Sequence, residues 1–186
     1  MSEEQITQQM KRLLYLIAEY TKLEDKYGAL AIKELPVLSL IFKGILNNIL
    51  DYDYAPQSVM YMDNRRFLNI SREGEDDLDD LRDVKLLKKI RLATQRHVFI
   101  YAYNLTESGI KYLDSIPRED KDAIDHLVYC KCGNLYNIQV QPEGVFMICN
   151  KCNIKIDTGI TDIEDVAYKC SPIKIRTRLT RKSRNV

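Results

Sequence analysis

The sequence has 186 residues, of which 45% are hydrophobic and 30% are charged, and its formal net charge at pH 7 is +1. This composition provides enough apolar residues for a core and excludes a chain that is disordered throughout. The balanced charge also excludes a uniformly basic coat for nucleic acid, so any electrostatic signal must come from local patches.

The N-terminal residues are acidic and polar, which is unlike a signal peptide. The longest apolar run, LPVLSLIFKGILNNIL, is interrupted by Lys43, Asn47 and Asn48 and is too short to span a bilayer. We therefore expect an intracellular protein, cytoplasmic or nuclear, that is not secreted and does not contact a membrane. In a reducing compartment, paired cysteines serve as metal ligands more often than as disulfides.

Two amphipathic helices are expected near the N-terminus. Apolar residues recur between residues 5 and 20 at the spacing of one helical face. A second helix is expected to begin near residue 34, because Pro36 would then lie in the first turn, where a missing N–H costs nothing. Its wide apolar stripe predicts a central position in the core. Residues 51–66 are predicted to form a loop or a short strand pair.

A third helix and a hairpin are predicted next. Ser71 is a suitable cap for a helix that ends near residue 83, and residues 71–83 carry seven acidic and two basic side chains. The segments KKIRLAT and HVFIYAYNL alternate as strands do, with Gln95 and Arg96 at the turn between them. Thr106 is then expected to cap another helix.

The hairpin and the residues after it resemble the end of a winged-helix domain. The phrase LT-x-x-G-x-x-x-L is formed by Leu105, Thr106, Gly109 and Leu113. Many transcription regulators of the winged-helix class close their wing with a similar phrase. The resemblance covers residues 5–116 in outline and implies a winged-helix-like domain over residues 1–116.

The second strand of this hairpin is apolar on both sides, so each side needs a cover or a partner. Its smaller side chains suit packing on the helices: Val98, Ile100 and Ala102. The other side is predicted to be an interaction face, either for the cysteine-containing C-terminal module (residues 127–170) or for a partner. It consists of Phe99, Tyr101 and Tyr103.

Four of the five cysteines form two close pairs, Cys130-x-Cys132 and Cys149-x2-Cys152. The pairs resemble the two knuckles of a zinc ribbon over residues 127–157, which implies four sulfur ligands for a structural Zn²⁺. Gly133 and Asn153 follow the two knuckles and are the residue types that best tolerate a left-handed backbone. The segment between the pairs is predicted to be a hairpin that turns at residues 142–144.

The cysteine pairs leave alternatives open. The first pair is tighter than the usual C-x2-C, and a metal-free remnant or a redox pair would have the same spacing. His126 and Cys170 are reserve ligands, although Cys170 also suits a buried core position and His97 suits a solvated turn. A site closed by four sulfurs would have no open position for catalysis.

Two basic patches stand out. Residues 85–97 contain basic side chains and no acidic one, which favours either nucleic acid or neutralisation of the acidic helix before them. The C-terminal segment 171–186 is also basic and is interpreted either as a solvated tail or as a contact for nucleic acid or an acidic partner. Its candidate contact residues are Lys174, Arg176, Arg178, Arg181, Lys182 and Arg184.

These patterns predict an α+β chain with four parts. They are a winged-helix-like domain with a β-hairpin (1–116), a charged linker (117–126), a small zinc-ribbon β domain (127–170) and a basic segment (171–186). The common catalytic and nucleotide-binding motifs are missing from the sequence, so neither an enzyme nor a small-molecule substrate is expected. The predicted function is macromolecular interaction, as a nucleic-acid-associated transcription factor or, alternatively, as a protein-interaction or structural subunit of an assembly.

Overall fold

The computed structural model describes residues 6–21, 24–25, 28–62, 64–93 and 99–163. The helices are α1 (Gln8–Thr21), α2 (Glu34–Leu46), α3 (Arg72–Asp83), α4 (Glu107–Tyr112) and α5 (Arg118–Val128), and a 3-10 turn (Leu113–Ser115) follows α4. The strands are β1 (Glu24–Asp25), β2 (Gly28–Ala29), β3 (Ile32–Lys33), β4 (Ala55–Tyr61), β5 (Asn64–Ile70), β6 (Leu87–Ala93), β7 (Phe99–Leu105), β8 (Asn137–Gln141), β9 (Gly144–Cys149) and β10 (Ile154–Asp157). The fold is therefore α+β, with small antiparallel sheets.

Helices α1 and α2 supply much of the core. The predicted stripe of α1 is buried, with Leu13, Leu14 and Ile17 fully removed from solvent. Helix α2 is buried over most of its length, including Phe42, which confirms the central position expected from its wide apolar stripe. Among the described residues, no helix combines the length and the apolar character that a membrane span requires.

Helix α3 leads into a three-stranded sheet of order β3-β7-β6. Both predicted helix caps are present: Gly74 N–H donates to Ser71 Oγ at 2.9 Å, and Gly109 N–H donates to Thr106 Oγ1 at 2.9 Å. Gly109 also lies against the backbone of Leu86, where a Cβ atom would come within 2.2 Å of the carbonyl oxygen. The LT-x-x-G phrase thus closes the hairpin through a cap and a backbone approach that only glycine permits.

One residue of the predicted interaction face is enclosed by its own sheet. Tyr103, which was expected to be covered by the C-terminal module or by a partner, has only 2% of its surface accessible. It pairs with Ile32 of β3 on one side and with Lys89 of β6 on the other, and its hydroxyl group donates to Glu34 Oε1 at 3.3 Å. The short strand β3 reaches only this half of β7, so Phe99 and Tyr101 stay exposed.

The loop or short strand pair predicted for residues 51–66 overlaps the regular hairpin β4–β5, which spans residues 55–70. One face of this hairpin packs on the core through Leu68 and Ile70, and the same hairpin holds the C-terminal module. Tyr61 donates its hydroxyl hydrogen to the carbonyl of Gln141, and Asn69 N–H donates to the carbonyl of Ile160 at 2.8 Å.

The segment predicted to be a charged linker, residues 117–126, lies almost entirely in helix α5 instead. Ile124, Leu127 and Val128 form an apolar stripe that packs on α1, and the charged residues around it concealed this stripe in the sequence. Even Asp120 is buried, because Arg12 Nε lies 2.7 Å from its carboxylate. The division into domains itself stays a prediction, but the segment between them is packed structure.

The C-terminal module is a three-stranded sheet of order β10-β9-β8. Its hairpin turns at Pro142 and Glu143, as predicted, and β9 is the central strand. Val145 and Met147 of β9 belong to the same cluster of buried side chains as helices α1 and α2. The cysteine pairs therefore lie at the end of a sheet that is anchored on the helical core.

Candidate metal centre

The first cysteine pair lies in a tight turn directly after α5. Cys130 N–H donates to the carbonyl of Asn134 at 2.9 Å, and Gly133 N–H donates to the carbonyl of Cys130 at 2.8 Å. Gly133 has a φ of 81°, so the left-handed residue expected after this knuckle is present. The C-x-C spacing therefore forms a turn in which both sulfur atoms point to one side of the loop, into the cysteine cluster.

The second pair joins two strands. Cys149 is the last residue of β9, Cys152 lies in the turn before β10, and the N–H of Cys152 donates to Cys149 Sγ at 3.4 Å. Asn153 has a φ of 54°, which confirms the second left-handed position. An amide directed at a sulfur atom stabilises a thiolate, so this turn is prepared to hold a cation.

The two turns bring the four sulfur atoms together, with all of them within 4.8 Å of one another. The Sγ atoms of Cys132 and Cys149 are 3.5 Å apart, and the cysteines are not joined by disulfides. A tetrahedral site with metal–sulfur distances of about 2.3 Å has sulfur–sulfur edges of about 3.8 Å. The size of the cluster and its all-sulfur donor set therefore fit a metal ion, with Zn²⁺ among the candidates.

Local hydrogen bonds polarise this cluster even without a cation. The pKa of the Cys130 thiol is lowered to about 6, chiefly by a hydrogen bond from the backbone of Cys132 and also by Cys149 and Tyr136. The pKa of Cys152 is raised to about 12, chiefly by its hydrogen bond with Cys132. Cys130 is thus deprotonated more readily than Cys152, and a metal ion that binds here would have to displace the remaining thiol protons.

Two tyrosines beside the cluster were not identified from the sequence. The hydroxyl group of Tyr136 hydrogen bonds to Cys130, and burial together with this bond raises the pKa of Tyr136 to about 12. Tyr129, directly before the first ligand, donates to Glu19 Oε2 at 2.6 Å. Their positions in the sequence, close to the first cysteine pair, could have identified them, because residues around metal ligands often orient those ligands.

The reserve ligands do not join the cluster. His126 is exposed on α5, with its ring Nδ1 against the carbonyl oxygen of Asp122. Within the described part of the chain, the group of side chains able to hold a metal at this place consists of the four cysteines. Cys170, His97 and the predicted basic contacts of the tail lie outside the described residues.

The fold and the cluster define a class of protein: an α+β protein with a candidate four-cysteine metal centre in its C-terminal sheet. The chain belongs to the Uncharacterized protein MJ1567 family, whose model matches residues 9–158. The matched range contains the helices α2–α5, most of α1 and all four clustered cysteines. No curated protein matches the sequence.

Proposed function

We propose that this protein is a non-enzymatic zinc-binding factor that associates with nucleic acid in the manner of a transcription regulator. The observation that carries the proposal is the closed set of four cysteine sulfurs within 4.8 Å. Four sulfur ligands are typical of structural zinc, because they leave no open position for water or substrate. Bound zinc would join the two knuckles and stabilise the C-terminal sheet.

The order of elements in the N-terminal part supports a winged-helix-like domain. Helix α3, the hairpin β6–β7 and the capped helix α4 follow one another as the resemblance implies. In this interpretation the hairpin is the wing, and α3 occupies the place of the helix before it. Fold alone does not establish function, so the chemistry of the surface must decide what the domain binds.

The charges favour the hairpin over α3 as the contact with nucleic acid. Lys85, Lys88 and Arg91 are exposed on or beside β6, whereas α3 presents acidic side chains such as Asp80 to solvent. Phosphates are attracted to the first set and repelled by the second. We therefore assign the nucleic-acid contact to the wing and to the basic C-terminal segment, and not to insertion of α3 into a groove.

The decisive experiment is a binding titration of the full-length, zinc-loaded chain with labelled DNA and RNA at about 50 mM salt, where non-specific contacts are strongest. Binding that weakens as salt is added supports the proposal. Absence of binding to both single and double strands overturns it, provided that elemental analysis of the same sample shows bound zinc. An intracellular, reducing location belongs to the proposal, because the ligands are thiols.

A second candidate is a protein-interaction subunit of a larger assembly. It is favoured by the exposed apolar side chains of the β4–β5 hairpin, Met60, Met62 and Phe67, and by the acidic surface of α3. Exposed methionine and phenylalanine side chains are common at protein interfaces. A partner captured by the wild-type chain after nuclease treatment, but not by Phe67→Asp, would favour this candidate over the first.

A further inference from the structure

The hairpin β6–β7 has one face on which basic and aromatic side chains interleave. The pairs Arg91–Tyr101 and Ala93–Phe99 lie directly opposite each other across the two strands, so their side chains share this face. Phe99 is 51% exposed and Tyr101 is 37% exposed. We call Lys89, Arg91, Phe99 and Tyr101 the wing face.

The cations of the wing face lie on its rings. The guanidinium carbon of Arg91 is 3.5 Å from the centroid of the Phe99 ring, and Lys89 Nζ is 4.8 Å from the centroid of the Tyr101 ring. Lys89 is also held by Glu34 at 2.9 Å, which fixes its position. The exposed strip therefore presents positive charge stacked on flat π surfaces that remain partly accessible, and β6 and β7 contain no acidic residue.

We propose that the wing face binds single-stranded nucleic acid by stacking bases on Phe99, Tyr101 and the Arg91 guanidinium. This inference rests on the proposed function and specifies the ligand and the residues. A polyanion whose units carry flat rings matches both properties of the strip. Aromatic rings and guanidinium planes stack on any base, while the adjacent cations neutralise the backbone phosphates.

The neighbouring helix selects a single strand over a duplex. Helix α3 packs against β6 and has seven acidic side chains among its 12 residues. A duplex presents two phosphate backbones, and a duplex lying on the hairpin would bring the second backbone toward α3. A single strand has one backbone, which can follow the wing face and keep away from α3. Bases in a duplex are also stacked on each other and cannot reach Phe99.

The test is fluorescence anisotropy of the full-length, zinc-loaded chain with a labelled single-stranded oligo(U) and with a duplex of mixed sequence. We expect the single strand to bind at least tenfold more tightly. Phe99→Ala and Tyr101→Ala should each weaken single-strand binding on the order of tenfold, since each removes one stacking contact. Phe99→Trp should retain binding, and Phe99→Leu should not, because bulk without a π surface cannot replace the ring.

The control is Phe67→Ala, because Phe67 is a 59% exposed phenylalanine on the other hairpin. It should leave the affinity unchanged, and thermal unfolding should show all variants folded. Equal losses for Phe67→Ala and Phe99→Ala, full binding by Phe99→Leu, or a preference for the duplex would each overturn the inference. A duplex preference would still leave the proposed function standing, whereas no binding to either nucleic acid would overturn both.

Discussion

Tyr129 and Glu19 connect the cysteine cluster to the first helix, since the tyrosine hydroxyl donates to the buried carboxylate at 2.6 Å although 110 positions separate the two residues. Tyr129 is bonded to Cys130, so this contact fixes where the first knuckle begins. The candidate metal site is therefore oriented by the helical core as well as by its own turns.

The first prediction concerns this contact. Tyr129→Phe removes the hydroxyl donor and should lower the free energy of unfolding by about 1.5–3 kcal/mol, the usual contribution of a hydrogen bond to a charged group. Urea unfolding with zinc present measures the change. Tyr101→Phe, at an exposed tyrosine, should change the stability by no more than a few tenths of a kcal/mol. Equal effects of the two substitutions would show that the contact contributes nothing specific.

The second prediction concerns the cysteine cluster. Purified protein should contain one zinc per chain, and Cys149→Ser should lose it, because metal binding contributes about 10 kcal/mol in small zinc modules. Hydrogen exchange should show β8–β10 unprotected in this variant. If the predicted domain division holds, helices α1–α3 stay protected. Cys170→Ser is the control and should keep the metal. Wild-type protein without metal, prepared without chelator, would contradict the assignment.

The third prediction compares two aspartates on α5. Asp120→Ala leaves Arg12 without its buried partner and should lower the free energy of unfolding. Breaking a buried pair costs roughly 3–5 kcal/mol, and the loss here should be somewhat smaller because Arg12 is partly exposed. Asp122→Ala breaks only the exposed pair with Arg118 and should cost at most about 0.5 kcal/mol. Urea unfolding of both variants gives the comparison. Cleavage of native protein by protease within residues 118–128 would contradict the packed helix on which it rests.

The fourth prediction concerns alkaline pH. Burial raises the pKa of Tyr103 to about 12, above its ordinary value of 10.0, because the charged phenolate is disfavoured in the core. The stability that the neutral form provides is therefore complete below about pH 10 and is lost as the pH rises toward 12. Thermal melts between pH 8 and 11 should show a steeper decline above pH 10 for wild type than for Tyr103→Phe. If the melting temperatures of wild type and Tyr103→Phe fall in parallel above pH 10, ionisation of Tyr103 does not contribute to the loss of stability.

The fifth prediction concerns the basic C-terminal segment. If its lysines and arginines contact phosphates, truncation after Ser171 should weaken binding to all sequences alike. It should also flatten the dependence of log affinity on log salt by about 0.9 for each lost contact on duplex DNA. Titrations at several salt concentrations measure both effects. An unchanged slope would show that the segment is a solvated tail with respect to nucleic acid.

Local features of this fold could be predicted from the sequence. The caps at Ser71 and Thr106 and the left-handed positions at Gly133 and Asn153 depend on the chemistry of a few neighbouring residues. The same holds for the cysteine cluster, because two short turns with closely spaced cysteines bring the sulfurs together once a hairpin joins them.

Features that depend on distant partners could not be predicted. Asp120 looked like part of a solvated linker, because its partner Arg12 lies 108 positions earlier in the chain. The burial of Tyr103 depends on the two-residue strand β3, which is too short to leave a pattern. Alternation along β7 showed that two faces exist, but it could not show how far a neighbouring strand covers one of them.

The pairing of α1 with α5 has a consequence for synthesis on the ribosome. Arg12, Tyr15 and Glu19 find partners 108–110 residues later, at Asp120, Asp125 and Tyr129. At about 5–20 residues per second, roughly 5–20 s pass between emergence of the first helix and emergence of these partners. During that interval the polar groups of α1 remain in water, so the core can close only after residues 120–129 have left the ribosome, when the first cysteine turn is also arriving.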